Sequence, residues 1–156
     1  MLGLVALAYA TAVLPEGLAN PVREWAAEHP GFPLARLGAA GAAQIPLLVL
    51  LAWLADRAPR RGPRRRGWLV ITACALASFW LLFDPSASSG VSSISGLSAY
   101  ILLKNLLFVL AGGLAVDAGL GGAGTGAASA ARKVGESAAL LAAVFVHPFF
   151  ESAAPT

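Results

Sequence analysis

The feature that most constrains this chain is a set of long apolar segments without charge. Residues Leu37–Ala55 and Gly67–Phe83 contain no charged side chain, and Leu97–Val116 contains only Lys104. A helix that crosses the ~30 Å hydrocarbon core of a bilayer needs about 20 mostly apolar residues. The three segments therefore predict three membrane-spanning helices.

The N-terminal segment Leu2–Leu14 is equally apolar but shorter. At about 1.5 Å per residue it reaches about 20 Å, and it gains length if the helix continues past Pro15. A signal peptide is the alternative, because Ala8-Tyr9-Ala10 matches a small-residue cleavage pattern. The segment has no basic residues before it, and cleavage there would leave a very short apolar core, so a retained first helix is favoured.

Composition agrees with a membrane protein. The chain is 58% hydrophobic and 12% charged, whereas soluble domains average about 45–50% and about 25%. So few charges cannot solvate one face of every surface helix, which argues against a soluble enzyme, a disordered tail or a nucleic-acid-binding module. The single cysteine, Cys74, excludes an intramolecular disulfide and a multi-cysteine metal site, and its mid-span position predicts an inert packing residue.

The distribution of charge predicts the orientation. Six of the eleven basic residues lie in Arg57–Arg66, between the second and third predicted spans. The positive-inside rule places this turn in the cytoplasm, where it also meets anionic lipid headgroups. Four spans then put both termini in the cytoplasm. Nucleic-acid binding is not expected, because the basic turn is short, contains two prolines and has no aromatic residues.

The connecting segments differ in character. Pro15–Pro33 is polar, and its Val22, Trp25 and Ala26 recur at helical spacing, which predicts a short helix at the membrane interface. Pro85–Gly96 is rich in serine and glycine and predicts an exposed loop.

The C-terminal third predicts a separate tail. Gly119–Gly126 is almost entirely glycine, alanine and threonine, a composition typical of a flexible linker. The predicted organisation is a transmembrane domain over residues 1–118, a glycine-rich linker over 119–128 and a tail over 129–156. The tail is amphipathic or forms a short fifth span, so the predicted fold class is an all-α, integral membrane four-helix bundle with short loops.

Four patches carry a resemblance to a known family. They are PEGLANPV followed by EHPGF (15–32), GAAGAAQIPLLVLL (38–51), SFWLLFDP (78–85) and SGLSAYILLKNLLFVLAGGL (95–114). Over residues 1–118 the chain resembles the DoxX-like superfamily of small four-helix membrane proteins, most closely its YkgB/RclC branch. The resemblance implies a bacterial inner-membrane protein linked to thiosulfate–quinone oxidation, oxidant resistance or membrane redox assemblies.

The chain departs from this family at several positions. Gln44 and Asn105 stand where the family often carries acids, and Glu16 lies close to the place of a usual lysine. The resemblance therefore implies a site in which two acids have become amides.

Lys104 is the strongest candidate site residue. Placing an ionisable group inside a membrane span costs free energy, so such groups usually have a function. It either pairs with an outer-side acid, Glu16 or Asp84, or extends outward to the headgroups. Gln44 lies at a similar predicted depth, and Tyr100 lies one turn above Lys104.

Asn105 follows Lys104 and is turned about 100° from it. If these side chains converge, they form an outer-side polar pocket for a quinone, a lipid headgroup or a small anion. Alternatively, Gln44 and Asn105 only hydrogen-bond across helices. His29 either lines this pocket or lies on the surface, and no metal site or catalytic residue is predicted.

The function predicted is an accessory subunit, or a lipid- or quinone-binding protein, linked to redox or oxidant-stress defence. No cofactor is demanded by the residues, although a quinone or a bound lipid is the candidate ligand. One alternative is a small thiosulfate-type, quinone-coupled oxidoreductase, which needs a bound cofactor or a partner subunit. Another is a structural or transport partner of a second membrane protein or of its own copies.

Overall fold

The computed structural model describes residues 1–18, 21–32, 34–57, 64–84, 86–87 and 93–153. These residues form helices and no strand, which confirms the predicted all-α fold class. The helices are α1 (Leu2–Leu18), α2 (Pro21–Glu28), α3 (Leu34–Ala43), α4 (Ile45–Arg57), α5 (Arg64–Leu82), α6 (Ile94–Ala118) and α7 (Thr125–Ala153). Residues 58–63 of the basic turn and 88–92 of the serine-rich loop lie outside the described residues.

The first two helices agree with the prediction, whereas the predicted linker differs from it. The first helix continues past Pro15 to Leu18, and the short helix predicted around Trp25 is α2. In the predicted linker, a wide helical turn over Gly119–Ala123 leads to α7, which already begins at Thr125. Gly122 and Gly124 have φ of 98° and 78°, values that favour glycine and let the chain turn within so few residues.

The second predicted span is interrupted, contrary to the expectation of one helix over Leu37–Ala55. Helix α3 ends at Ala43 and α4 begins at Ile45, with Gln44 between them. The physical reason is Pro46, which has no backbone N–H to donate and whose ring collides with the carbonyl four residues earlier. Proline is tolerated at the start of a helix. One helix therefore ends before Gln44 and a new helix begins after it.

The contacts divide the chain into two compact units. The terminal unit comprises residues 1–20 and 111–156, and the central unit comprises residues 21–110.

In the terminal unit, α1 and α7 pack together through small residues. A Cβ atom on Gly135 would overlap the carbonyl oxygen of Ala6, and one on Gly17 would lie 2.8 Å from the Cβ of Ala143. Small residues allow this close approach of two helix backbones. Because both residue numbers rise together between these contacts, α1 and α7 run parallel.

In the central unit, α4 packs against α5, and α5 and α6 bury large side chains. The ring centroids of Phe79 on α5 and Tyr100 on α6 are 5.0 Å apart. Among the described residues of this unit, the buried ones are Trp25, Ala55, Leu69, Thr72, Leu76, Phe79, Leu97, Tyr100, Leu106, Leu107 and Leu110.

Among the described helices, α6 has the length and apolar composition required to cross a bilayer, while Leu2–Leu14 and Arg66–Leu82 form shorter apolar helices. Only 33% of the apolar window of α6 is buried within the fold. The core helix of a soluble protein is mostly buried, so this helix leaves much apolar surface uncovered.

Candidate functional site

The break between α3 and α4 holds Gln44 in a defined conformation. Its backbone N–H donates to the carbonyl oxygen of Gly41 (3.2 Å), which tightens the last turn of α3. Its own carbonyl oxygen accepts from the N–H of Leu48 (2.9 Å), which starts α4. Gln44 therefore belongs to both helices, and its side chain leaves the chain at the discontinuity.

The amide side chain of Gln44 contacts α6. Its Nε2 donates a hydrogen bond to the backbone carbonyl of Ser98 (2.9 Å). Because a carbonyl only accepts, this bond assigns nitrogen to that position and turns Oε1 the other way. Oε1 is buried and has no hydrogen-bond partner among the described residues, a state that costs about 1–3 kcal/mol for an ordinary polar group.

The contacts with α6 distinguish two of its faces. With about 100° between successive residues, Ser98, Ile101 and Asn105 share one face. Gly41 lies against the same face, since a Cβ atom there would be 3.6 Å from the Cγ2 of Ile101. The α3–α4 break thus packs on the Ser98–Asn105 face of α6.

Tyr100 and Lys104 lie on a different face of α6, about 140° and about 100° away from Asn105 by the same geometry. Tyr100 is 1% exposed and packs against Phe79, whose ring also stacks on Phe83 at 5.6 Å. Lys104 is partly buried one turn further along the helix. The structure therefore brings Gln44 to the Asn105 side of α6 rather than to the Tyr100–Lys104 side.

Asp84 organises the turn after α5. Its Oδ1 accepts hydrogen bonds from the N–H (2.9 Å) and the hydroxyl (2.7 Å) of Ser86. The bond from the Ser86 hydroxyl, followed by the bonds from the Ser86 and Ala87 amides, lowers the pKa of Asp84 below its ordinary value. This carboxylate is exposed and serves the local turn.

His29 belongs to an aromatic cluster at the end of α2. Its ring stacks on Trp25 (4.2 Å, 15° between planes), and Phe32 meets Trp25 edge-on at 4.9 Å. The Nδ1 of His29 donates to the carbonyl of Trp25 (2.9 Å), which leaves Nε2 as the ring nitrogen able to contact other groups. Trp25 is buried, and its Nε1 has no hydrogen-bond partner among the described residues.

The remaining predicted site residue is Glu16, near the end of α1 in the terminal unit. Its side chain lies outside the described residues, so pairing between Glu16 and Lys104 stays a prediction. No group of three or more His, Cys, Asp and Glu side chains that could hold a metal ion is found in the described part of the chain.

Sequence reasoning missed four features of this region. The carbonyl of Ser98 and the ring of Phe79 are long-range partners for which the sequence carries no signal. The helix break did have a sequence signal, because Pro46 lies two residues after Gln44 inside the predicted span. Cys74, expected to be a packing residue, is exposed on α5.

Comparisons of the chain with protein-family models, with curated proteins and with solved structures found no match. The resemblance to the DoxX-like superfamily therefore stays a prediction.

Proposed function

We propose that this protein is a multi-pass membrane protein of the bacterial inner membrane, and that its central unit binds a quinone-class molecule or a lipid headgroup beside Gln44. Its role is that of a binding or accessory protein rather than an enzyme. The link to redox or oxidant-stress defence rests on the DoxX-like resemblance alone.

The exposed apolar surface supports the membrane part of the proposal. Helices α4, α5 and α7 all present large apolar side chains outward, among them Val49 (62% exposed), Ile71 (67%) and Phe145 (73%). Within the central unit alone, both α4 and α5 expose large apolar side chains, and large exposed apolar patches are rare on soluble monomers. Surfaces of this kind suit the hydrocarbon of a bilayer, in which apolar side chains need no cover.

The unpartnered Oε1 of Gln44 carries the binding part of the proposal. In hydrocarbon every polar group must find a partner within the protein or a ligand, and helix breaks in membrane proteins commonly lie beside binding sites. An amide oxygen accepts a hydrogen bond, so the ligand that fits best offers a hydroxyl, such as a quinol or a lipid headgroup. Asn105, on the same face of α6, can take a second polar contact.

The chemistry of the site favours binding over catalysis. The amide groups of Gln44 and Asn105 can orient a ligand through hydrogen bonds, but they do not transfer electrons. An oxidoreductase would need the quinone itself, or a partner subunit, to supply that chemistry. Turnover of thiosulfate in the presence of a quinone analogue would favour the enzyme alternative over the accessory role.

The test is mass spectrometry of the small molecules retained by the gently solubilised full-length protein. We expect the wild type to retain a quinol, or a specific lipid whose headgroup carries a hydroxyl, near one per chain. Gln44→Leu preserves size but removes the amide, and it should lower retention at least tenfold. Ser78→Ala is the matched control, because the Ser78 hydroxyl only bonds the carbonyl of Cys74 in its own helix.

Retention by Gln44→Leu equal to that of the wild type would contradict the site at Gln44. Circular dichroism of each variant establishes whether the helices are intact. Lys104→Met provides a second variant on the other face of α6. A loss caused by Lys104→Met but not by Gln44→Leu would move the site to the Tyr100–Lys104 face.

A further inference from the structure

The terminal unit contains a cavity of about 360 Å³ where α7 begins beside the end of α6. Ligand-binding pockets fall at about 300–1,000 Å³. Small residues leave this space open: Gly112, Ala115 and Gly119 line one side, and Ala128 lines the other. The cavity lies wholly within the terminal unit and shares no residue with the site at Gln44.

One wall of the cavity is polar. Thr125, Ser129 and Arg132 on α7 line it, and their spacing of four and three residues places them on one helix face. The guanidinium of Arg132 lies 5.0 Å from the centroid of the Tyr9 ring, and its Nε donates to Glu136 at 2.7 Å. Glu136 and Tyr9 fix the side chain but engage only part of its five N–H donors.

The opposite wall is apolar. Val116 and Leu120 line it from the end of α6 and the following turn, and they are 60% and 83% exposed. The cavity is therefore lined both by a cation with two hydroxyls and by exposed aliphatic side chains. A molecule that satisfies both walls is an amphiphile.

The local charge selects the sign of the ligand. Arg132 and Lys133 carry two positive charges, and Glu136, which pairs with both, carries one negative charge. The N–H groups of the first turn of α7 add a positive partial charge at Thr125. Asp117 follows Val116 but is turned about 100° from it around α6. The polar wall consequently favours an anion.

We propose that this cavity binds an anionic phospholipid. The phosphate contacts Arg132 and the hydroxyls of Thr125 and Ser129, and one acyl chain lies along Val116 and Leu120. A free phosphate would use only the polar wall, and a zwitterionic lipid would add a positive charge near Arg132. This proposal is independent of the ligand proposed for the central unit.

The test is a native mass spectrometry titration of the full-length protein in detergent with phosphatidylglycerol. Arg132→Gln removes the charge and should weaken binding at least tenfold. Lys133→Gln is the matched control, because Lys133 pairs with the same Glu136 (2.9 Å) and does not line the cavity. Because Lys133 shares the charge of Glu136 but does not line the cavity, its loss should weaken binding several-fold less than the loss of Arg132. Ala115→Leu fills the cavity without altering charge and should also weaken binding at least tenfold.

Equal losses for Arg132→Gln and Lys133→Gln would overturn the proposal, since they would mean attraction by diffuse surface charge. Unchanged binding in Ala115→Leu would overturn it as well, because the acyl chain would then not occupy the cavity. Phosphatidylcholine should bind at least tenfold more weakly than phosphatidylglycerol, and inorganic phosphate should not compete. Equal binding of phosphatidylcholine, or full competition by phosphate, would contradict an anionic lipid.

Discussion

Gln44 has a backbone that ends one helix and starts the next, and a side chain that reaches a third helix. The residue type and its place within an apolar segment can be read from the sequence, since a lone amide there stands out. Its contact with the carbonyl of Ser98 (2.9 Å) joins residues 54 positions apart. Such a partner depends on how helices pack, and helix packing is not encoded in local periodicity.

The turn at Asp84 gives a pH-dependent prediction. Hydrogen bonds from Ser86 hold the pKa of Asp84 below its ordinary value. For a carboxylate whose folded pKa is depressed, the stabilisation is present above the unfolded pKa and is lost as pH falls through the folded pKa. The turn should therefore stay formed at neutral and mildly acidic pH and open only below the ordinary range of an aspartate.

Nuclear magnetic resonance of the Ser86 amide during an acid titration measures this transition. Ser86→Ala should move the midpoint toward the ordinary pKa of aspartate, because the hydroxyl bond is the largest cause of the shift. Asp84→Asn should abolish the transition. A midpoint in the Ser86→Ala variant identical to that of the wild type would contradict the assignment.

Gly135 gives a prediction about packing. A Cβ atom there would collide with the backbone carbonyl of Ala6, and backbone cannot move aside as a flexible side chain can. Gly135→Ala should lower the stability of the protein by about 1–3 kcal/mol, in the range of overpacked sites. The measurement is thermal unfolding in detergent followed by circular dichroism.

Gly126→Ala is the matched control in the same helix. No atom lies within 4 Å of its Cβ position, so the change should be neutral or stabilise α7 by up to about 1 kcal/mol through helix propensity. Equal effects of the two substitutions would show that the α1–α7 contact is not as close as described.

Among the elements, α7 is the helix whose relation to the rest of the chain was least predictable. Its apolar face suggested an amphipathic tail or a short fifth span, and the sequence left both open. The contacts of Gly135 with Ala6 and of Gly17 with Ala143 set α7 parallel to α1. Suppose that α1 runs from the cytoplasm outward and that α6 ends at the cytoplasmic side. Because α7 begins just after α6 and runs parallel to α1, α7 then also runs outward.

Over the described residues α6 is the helix that meets the apolar requirement for a span, but a parallel α1 and α7 are what the fifth-span alternative requires, and that alternative changes the predicted side of Thr156. Helix α7 has 29 residues, about 43 Å at the usual rise, and its basic residues lie in its first half. We expect alkaline phosphatase fused after Thr156 to be active outside the membrane. A fusion after Gly124 should be inactive, because the predicted topology puts that point on the cytoplasmic side. A fluorescent cytoplasmic reporter at Thr156 would contradict the fifth span.

Across the whole molecule, the helical class and the approximate position of most helices follow from hydrophobic segments and breaking residues. The grouping of residues 1–20 with residues 111–156 does not, because it joins the two ends of the chain. The candidate site, too, could be predicted only in part from the sequence. Gln44, Asn105 and Lys104 are identifiable as polar residues in apolar helices, but their distribution over two faces of α6 required the positions of α3 and α5.

Cys74 offers the most direct test of the central claim, that these helices are embedded in a bilayer. The thiol is exposed on α5, near the outward-facing Ile71 (67% exposed) and Leu81 (87%). In lipid it would contact hydrocarbon, which a water-soluble reagent does not enter. In water the same thiol would be accessible.

The measurement is the labelling of Cys74 by a water-soluble maleimide in the full-length protein reconstituted in lipid nanodiscs. A Cys74→Ser/Ser86→Cys double variant supplies an exposed thiol in the turn after α5 as the control. We expect Ser86→Cys to label within minutes and Cys74 to label only after the addition of sodium dodecyl sulfate. Labelling of Cys74 at the rate of the control in intact nanodiscs would contradict a membrane-embedded α5.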